Sequence, residues 1–368
     1  MRREKMAKPR ENKRLASIDI LRGADLFLLL FLQPVLIAVG KVYDAPWYQG
    51  IMYQLDHEVW EGFRVWDLVM PLFLFMVGAS MPFSFSKYRK PGISKRKLYQ
   101  RILRRFLLLF VLGMIVQGNL LALRIDVLQI YNNTLQAIAA GYLIAAVILL
   151  NVRSYGWQIA LTFLLMVVYS IPMQIWGDYS LGGSFAYMVD EVVIGGFRGD
   201  LSYTWVWSSL TFGATVMFGA LCGRLLMNDS RRAEKGNLPG VLAVLGVALV
   251  LAGWGLGFVE PIIKRLWTSS MTLFASGWCF LLMALFYQWI DVMGHKRGLE
   301  WLKIYGMNAI TAYCIGETIS FRSVTASLTF GLEPYTGAWY GVVLTAGNAL
   351  ILFGILWFMY RYKIYLKV

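Results

Sequence analysis

The stretch SIDILRGADLFLLLFLQPVL, residues 17–36, decides the fold class of this chain. Its apolar run has the length of about 20 residues that a helix needs to cross the hydrocarbon core of a bilayer. Similar runs recur along the 368 residues, which are 58% hydrophobic and 15% charged, with a mean hydropathy of +0.57. We therefore predict an all-α polytopic integral membrane protein, built as a bundle of about ten transmembrane helices.

Ten segments have the length and low charge that are typical of transmembrane helices. They are 18–40, 66–86, 102–119, 133–150, 157–173, 205–227, 239–258, 269–290, 301–318 and 335–360. A single transmembrane domain is therefore predicted over 18–360, between a basic tail at 1–17 and a short tail at 361–368. The apolar segment after the basic tail is longer than the h-region of a signal peptide, so we expect it to remain as an uncleaved first span.

The lysines and arginines predict the orientation of this bundle. With the N-terminus in the cytoplasm, the cytoplasmic segments carry 27 of the 35 basic residues, as the positive-inside rule requires. Both termini are then cytoplasmic, and the segment 55–63 faces the opposite side. Anionic lipid headgroups account for the net charge of +14, so we expect membrane lipids as partners and no nucleic acid.

The first span carries polar residues that need partners inside a membrane. Asp19, Arg22 and Asp25 follow one another at intervals of three, so they share a helix face. Either they neutralise one another, or Arg22 is a phosphate receptor at the cytoplasmic mouth of the bundle. Further along, Pro34 removes a backbone donor beside Gln33, which predicts either a simple kink or the wall of a pocket.

The segment LDHEVWEGF, residues 55–63, holds one of only two histidines. A lone loop histidine is commonly a solvated surface residue, but the aromatic residues near His57 favour a packed position, where an oriented imidazole acts as a general base. Metal binding by His57 and its acidic neighbours is a weak alternative without a second nitrogen or sulfur ligand, so we expect no metal. Asp67, at the start of the second span, is either a helix N-cap or the partner of His57.

Five motifs follow one another along the chain: RLASIDILRG, HEVWEGFRVWDLVMPLFLFMVGASMPFS, NNTLQAIAAGYLIAA, IIKRLWTSS and YGMNAITAY. In this order they resemble the motifs of the heparan-α-glucosaminide N-acetyltransferase family and its bacterial relatives. The SIDILRG opening is also similar to the start of the membrane acyltransferases that O-acetylate surface polysaccharides, which form a broader superfamily.

This resemblance implies an acetyltransferase of the bacterial cytoplasmic membrane, with acetyl-CoA as the co-substrate from the cytoplasm and a homodimer as the assembly. The acceptor would be a glucosamine-type amine or a sugar hydroxyl of a glycan on the extracytoplasmic side. The catalytic histidine of the family corresponds to His57, and an assisting asparagine corresponds to Gln33. Arg22 matches an arginine of the O-acetylating relatives, whose histidine is replaced here by Gln33, and Ala137 stands where the family often has an arginine.

The remaining candidate residues form two groups. Those at cytoplasmic helix ends are candidates to bind acetyl-CoA: Arg22, Arg104, Arg105, Arg224 and Asn308. Each has a simpler alternative role, as a positive-inside anchor or, for Asn308, as a partner in a helix–helix hydrogen bond. Those on the external side are candidates to bind the sugar: Asp56, Glu58, Trp60, Lys264, Arg265, Trp267, Ser269 and Ser270.

Two further patterns concern packing. Thr268 or Ser269 has the residue type and position of an N-cap for the eighth span, which is the alternative to a role in sugar binding. Gly219 and Gly223 have small-xxx-small spacing, which predicts close approach of another helix.

Together these observations predict an enzyme in which His57 is the general base or the acetyl carrier, with Asp67 beside it. Gln33 or a neighbouring donor polarises the thioester carbonyl. The alternative is a transporter or lipid-handling protein that uses the same cavity, with His57 as a proton relay. Stabilisation of the protein by CoA would favour the enzyme.

Overall fold

The computed structural model describes residues 15–86, 94–199, 203–230 and 236–366. Regular structure in these ranges is helical, and extended pairing is confined to one bridge between Glu61 and Ile263. Most of the predicted basic tail, 1–14, lies outside the described residues. The same is true of 87–93, 231–235 and 367–368 in the predicted cytoplasmic segments.

The described residues form helices that we number in chain order. They are α1 Ala16–Gly40, α2 Pro46–Gln54, α3 Val65–Ser86, α4 Lys95–Val116, α5 Thr134–Asn151, α6 Tyr155–Ile175, α7 Phe185–Val193, α8 Ser209–Ser230, α9 Leu238–Leu256, α10 Ser269–Val292, α11 Leu302–Met307, α12 Ala309–Thr318, α13 Arg322–Thr329, α14 Glu333–Thr336 and α15 Tyr340–Arg361.

Eight helical stretches within the described residues are long and apolar enough to cross a membrane. Seven are α1, α3, α5, α6, α8, α9 and α10, and the eighth is Arg322–Arg361, which contains α13 to α15. These eight coincide with eight of the ten predicted spans, so the prediction of an all-α polytopic membrane protein is confirmed.

The other two predicted spans, 102–119 and 301–318, also fold as helix but not as long apolar spans. α4 already begins at Lys95 and ends at Val116, and basic residues occupy its first half. The second span is divided at Asn308, whose φ of −113° and ψ of 32° separate α11 from α12. The basic residues of α4 are visible in the sequence, whereas no proline marks the break at Asn308.

Direct backbone contact between α3 and α8 lies at the centre of the bundle. A β-carbon at Gly219 would lie 2.0 Å from the Phe75 carbonyl oxygen, and one at Gly223 would lie 2.1 Å from that of Ala79. Only glycine permits this approach, as the small-xxx-small spacing predicts. α3, which follows the segment 55–63, is thereby fixed inside the bundle.

α1 is distorted where the sequence places Pro34. Leu28–Leu32 form a π-turn, and the backbone N–H of Gln33 donates to the carbonyl of Leu28. Proline lacks an N–H and its ring crowds the carbonyl one turn earlier, which explains why the helix widens here. The Gln33 amide nitrogen then donates to the Leu55 carbonyl oxygen at 2.8 Å, so the end of α1 holds the loop that contains His57.

Candidate active site

His57 lies in the loop between α2 and α3, where its imidazole contacts Asp67 on the first turn of α3. The Nδ1 atom lies 2.7 Å from Asp67 Oδ1. The other carboxylate oxygen accepts hydrogen bonds from the backbone N–H groups of Arg64, at 3.0 Å, and Glu58, at 3.2 Å. Asp67 therefore both caps the helix and partners His57. Its side chain is fully buried, whereas that of His57 is 46% exposed.

Lys264 reaches the same imidazole from the turn between α9 and α10. The bridge between Glu61 and Ile263 holds this turn against the His57 loop. Lys264 Nζ lies 3.0 Å from Nδ1 and 3.1 Å from Nε2 of His57, and 3.8 Å from Asp67 Oδ1. Burial lowers the pKa of Lys264 to about 8, although the Asp67 carboxylate favours its charged form.

This arrangement orients the imidazole for proton transfer. Because the Asp67 carboxylate accepts a hydrogen bond from Nδ1, the proton of the neutral ring resides there, and the lone pair is on Nε2, 3.1 Å from Lys264 Nζ. Asp67 thus holds the imidazole in one orientation, which suits a general base.

The acidic neighbours of His57 shape its loop. Glu58 accepts two hydrogen bonds from Arg64, of 2.8 and 3.1 Å, and this pairing lowers the pKa of Glu58. The Arg64 guanidinium lies 3.9 Å from the centroid of the Tyr53 ring. The Asp56 side chain is 80% exposed, and its Oδ1 accepts a hydrogen bond from the backbone N–H of His57 at 2.8 Å. Asp56 therefore supports the backbone of the loop and faces solvent.

His57 borders a cavity of about 280 Å³, which we name the His57 cavity. Its lining comes from α1, α3, α5, α12 and four loops: Leu29, His57, Glu58, Trp66, Val69, Met70, Phe73, Gln117, Thr134, Tyr203, Lys264, Arg265, Tyr313 and Glu317. Three residues predicted to bind the sugar join the histidine here, namely Glu58, Lys264 and Arg265.

Part of the polar wall of this cavity is a hydrogen-bond network. Gln117 Oε1 accepts from Asn133 Nδ2 at 2.8 Å and from the Tyr203 hydroxyl at 2.9 Å. Asn133 Nδ2 also donates to the Tyr313 hydroxyl at 3.3 Å. Glu317 follows Tyr313 by one turn of α12 and lines the cavity as well. The network fixes two hydroxyl groups at the cavity wall.

A second cavity, of about 390 Å³, lies farther along the bundle, and we name it the Arg22 cavity. Arg22 lines it and donates to Ser80 Oγ at 2.6 Å and to the Met76 carbonyl at 3.2 Å. Arg105 and Asn308 also line it. Arg105 Nε and both polar atoms of the Asn308 side chain are buried without a hydrogen-bond partner among the described residues. Such atoms are costly unless water or a ligand satisfies them, and these donors and this acceptor are of the types that pair with phosphate and amide groups.

The two cavities share part of their walls, because Phe73, Thr134 and Tyr313 line both. On α3, Asp67 contacts His57 at one cavity, and Ser80, thirteen residues later, lines the Arg22 cavity. Thirteen residues of α-helix correspond to about 20 Å. The shared residues place the two cavities next to each other in the bundle.

Gln33 and Trp60 lie outside both cavities. The Gln33 amide is bonded to the His57 loop, and Gln33 lines, with Pro34, a separate cavity of about 200 Å³. The kink and the pocket wall predicted for this region therefore occur together. Trp60 Nε1 donates to the Tyr179 carbonyl at 2.7 Å, which ties the His57 loop to the connection between α6 and α7.

The start of α10 is buried and capped. Thr268 is the N-cap of α10 through its side chain, as predicted. Ser270 Oγ lies 3.0 Å from Thr268 Oγ1, and Ser269 is almost fully buried. Trp267 is fully buried with a φ of 56°, and its Nε1 donates to Thr215 Oγ1 at 3.1 Å. Trp267, Ser269 and Ser270 thus support the turn that presents Lys264.

The three predicted arginines of the inner helix ends occupy different places. Arg105 lines the Arg22 cavity and lies over the Tyr142 ring, 4.4 Å from its centroid. Arg104 is exposed on the surface of α4. Arg224 donates to Gln158 Oε1 at 3.1 Å and does not line either cavity.

Sequence reasoning missed five polar residues of the His57 cavity. Thr134 and Tyr313 lie within the motifs NNTLQ and YGMNAITAY, so a signal was present. Gln117, Tyr203 and Glu317 lie at helix ends or in a loop and have no local pattern that marks them. Within the described residues, no three His, Cys, Asp or Glu side chains form a group able to hold a metal ion.

Comparisons with known proteins match this chain to one family. The family model described as "Heparan-alpha-glucosaminide N-acetyltransferase, catalytic" matches residues 14–251. The chain is 26% identical over 363 residues to the Homo sapiens protein named heparan-alpha-glucosaminide N-acetyltransferase, with 82% of this chain and 52% of that protein covered. It is 25% identical over 368 residues to the Mus musculus protein of the same name, with 83% and 54% covered. The chain thus spans about half the length of these curated relatives.

Proposed function

This chain belongs to the heparan-alpha-glucosaminide N-acetyltransferase family, and on that premise we propose that it is a membrane acetyltransferase with acetyl-CoA as its co-substrate. The acceptor is a glucosamine-type amine or a sugar hydroxyl that enters the His57 cavity. The observation that carries this proposal is the wall shared by the two cavities, which places a pocket with unsatisfied polar groups beside one that contains an oriented imidazole.

In this proposal the Arg22 cavity binds acetyl-CoA. Arg22 and Arg105 provide cationic donors for phosphate groups, which guanidinium groups bind with strong, directional hydrogen bonds. Asn308 offers a free donor and a free acceptor to the amide groups of pantetheine. The thioester then extends past the wall shared by Phe73, Thr134 and Tyr313 towards His57.

The acetyl transfer uses the groups around His57. Nε2 accepts the proton of the acceptor amine or hydroxyl while the acceptor nitrogen or oxygen attacks the thioester carbonyl carbon. The C–S bond then breaks, and the proton passes from Nε2 to the departing CoA sulfur. Lys264, when charged, stabilises the negative charge that develops on the carbonyl oxygen, because it is a buried cation beside the imidazole. We assign Gln33 a positioning role, since its amide holds the His57 loop.

The acceptor binds in the His57 cavity, where charged and hydroxyl groups converge. Glu317 and the hydroxyl groups of Tyr203 and Tyr313 are suited to the ammonium and hydroxyl groups of an amino sugar. The distribution of lysine and arginine supports delivery from a cytoplasmic acetyl-CoA site to an extracytoplasmic acceptor site.

Purified full-length protein with acetyl-CoA and glucosamine tests this proposal. We expect release of free CoA together with N-acetylglucosamine, and we expect His57→Ala to lower that rate by about 10²- to 10⁴-fold, the contribution typical of a general base. His295→Ala is the matched control. His295 is exposed and stacks on Trp289, with 4.6 Å between ring centroids.

If His57→Ala transfers the acetyl group at an undiminished rate, His57 has no role in the reaction. A transporter would be favoured instead if the protein neither releases CoA nor is thermally stabilised by CoA, and if vesicles that contain the protein take up a solute.

A further inference from the structure

The structure places a primary amine of the protein itself at the imidazole of His57. Lys264 Nζ lies 3.0 and 3.1 Å from the two ring nitrogens, and its side chain is only 12% exposed. The acceptor in the proposed reaction is also a primary amine. Lys264 is therefore an internal competitor for the acetyl group, already positioned where an acceptor amine must come.

We propose that Lys264 is a self-acetylation site, which takes the acetyl group from acetyl-CoA when the His57 cavity holds no sugar acceptor. This inference rests on the proposed function. It adds a covalent modification that switches the enzyme off while acceptor is scarce.

The chemistry is that of ordinary amide formation from a thioester. The neutral Lys264 amine attacks the thioester carbonyl carbon, so that a C–N bond forms and the C–S bond breaks. The proton lost by nitrogen passes to His57 Nε2 and then to the departing sulfur. The products are Nε-acetyl-lysine and free CoA, and no further reactant is needed.

The product differs in kind from a catalytic intermediate. An acetyl group on the His57 imidazole is reactive and transfers onwards, whereas an acetyl-lysine amide is stable. Acetylation also removes the Lys264 charge and adds bulk within a cavity of about 280 Å³. The modified protein therefore loses the cation beside His57 and part of the space for the acceptor.

The charged neighbours of Lys264 decide when its amine is free to react. Asp67, at 3.8 Å, favours the ammonium form, while burial and the adjacent Arg265 favour the neutral amine. Glu58 and Glu317 line the same cavity, and Glu58 is paired with Arg64. His57 lies in direct contact with Lys264.

These opposing effects set the sign of a pH dependence. The pKa of Lys264 is about 8, so the ammonium form dominates below that pH and the nucleophilic amine dominates above it. Self-acetylation should therefore increase by about tenfold per pH unit as pH rises towards 8, and then level off.

Incubation of the full-length protein with radiolabelled acetyl-CoA, without acceptor, tests this inference. After treatment with hydroxylamine, which removes an acetyl group from imidazole but not from lysine, peptides are analysed by mass spectrometry. We expect stable acetylation of Lys264 to exceed that of the exposed Lys41 by about a hundredfold or more, because Lys264 is held at the reacting site. Addition of glucosamine should suppress it.

Three variants keep the inference testable. Lys264→Arg should abolish the stable label, and His57→Ala should reduce it while Lys264 remains present. Lys41→Arg should leave the label unchanged. Acetylation of Lys264 and Lys41 to the same extent, or label at Lys264 that is indifferent to His57, would overturn the inference.

Transfer to glucosamine is measured in the same preparation. Transfer without any stable label at Lys264 would contradict self-acetylation and leave the proposed function intact. Absence of both transfer and CoA release would contradict the proposed function itself.

Discussion

Asp67 gives the His57 imidazole its orientation, because its buried carboxylate accepts the hydrogen bond from Nδ1. Asp67→Asn keeps the size of the side chain but offers an amide, which permits the opposite tautomer of the imidazole. We expect kcat for acetyl transfer to fall by about 10²- to 10⁴-fold, the range of general-base catalysis, with a smaller change in KM. Initial rates over a range of acceptor concentrations measure both constants.

Asp56→Asn is the matched control for this prediction. Asp56 is adjacent to His57 in sequence but its side chain is exposed and contacts only the loop backbone and, at 3.9 Å, Arg64. Its replacement should leave kcat close to the unmodified value. Equal losses of kcat in the two variants would show that kcat depends on negative charge near the loop and not on the contact between Asp67 and His57.

The sequence predicts some of the residues around the His57 imidazole but not all of their contacts. His57 and Asp67 are ten residues apart, and both were candidates because one motif contains them. Lys264 is 207 residues away from His57, so no local pattern predicts that they touch. Ser269, Ser270 and Trp267 occupy the same motif as Lys264 but point into the core, since successive residues of a tight turn face different directions.

On α4, two adjacent arginines point in different directions and so have different surroundings. Successive helical residues differ in direction by about 100°, so Arg105 lines the Arg22 cavity while Arg104 is exposed. Arg105→Ala should weaken CoA binding by about 10- to 100-fold, the effect of one hydrogen bond to a charged group. Arg104→Ala, the matched control, should leave the affinity for CoA unchanged. The CoA concentration that gives half of the maximal thermal stabilisation measures both, and equal values for the two variants would exclude Arg105 from the CoA site.

The contact between α3 and α8 predicts a packing effect on stability. A β-carbon at Gly78 would lie 1.9 Å from the Val216 carbonyl oxygen, so Gly78→Ala forces the helices apart. We expect a loss of about 1–3 kcal/mol, as for other overpacked cores. Gly354→Ala on α15 is the control, because nothing lies within 4 Å of the added carbon. Thermal unfolding in detergent should show a lower midpoint for Gly78→Ala only, and an unchanged midpoint would contradict this direct contact.

The existence of most membrane helices and the distortion of α1 follow from the sequence, whereas the break at Asn308 does not. Hydropathy locates eight spans because apolar length is a property of local composition. The proline at Pro34 also predicts the distortion of α1, through its missing backbone donor. The break at Asn308, which lines the Arg22 cavity, has no such proline signal.

At the scale of the whole molecule, the arrangement of the two cavities is the feature that a sequence does not contain. Motif order predicted the family, and the match over residues 14–251 confirms it. The shared wall of Phe73, Thr134 and Tyr313 depends on three helices that meet only in the folded bundle. These three residues lie between the proposed acetyl-CoA site and the proposed acceptor site.

The most direct test of this account places the two substrates on opposite sides of a membrane. The protein is reconstituted in sealed vesicles and its orientation is determined by protease access to the termini. Acetyl-CoA is supplied on the predicted cytoplasmic side and glucosamine only on the opposite side. We predict N-acetylglucosamine in the glucosamine compartment and CoA in the other. Product that forms only when both substrates share one compartment, or no product in either arrangement, would contradict acetyl transfer through the paired cavities.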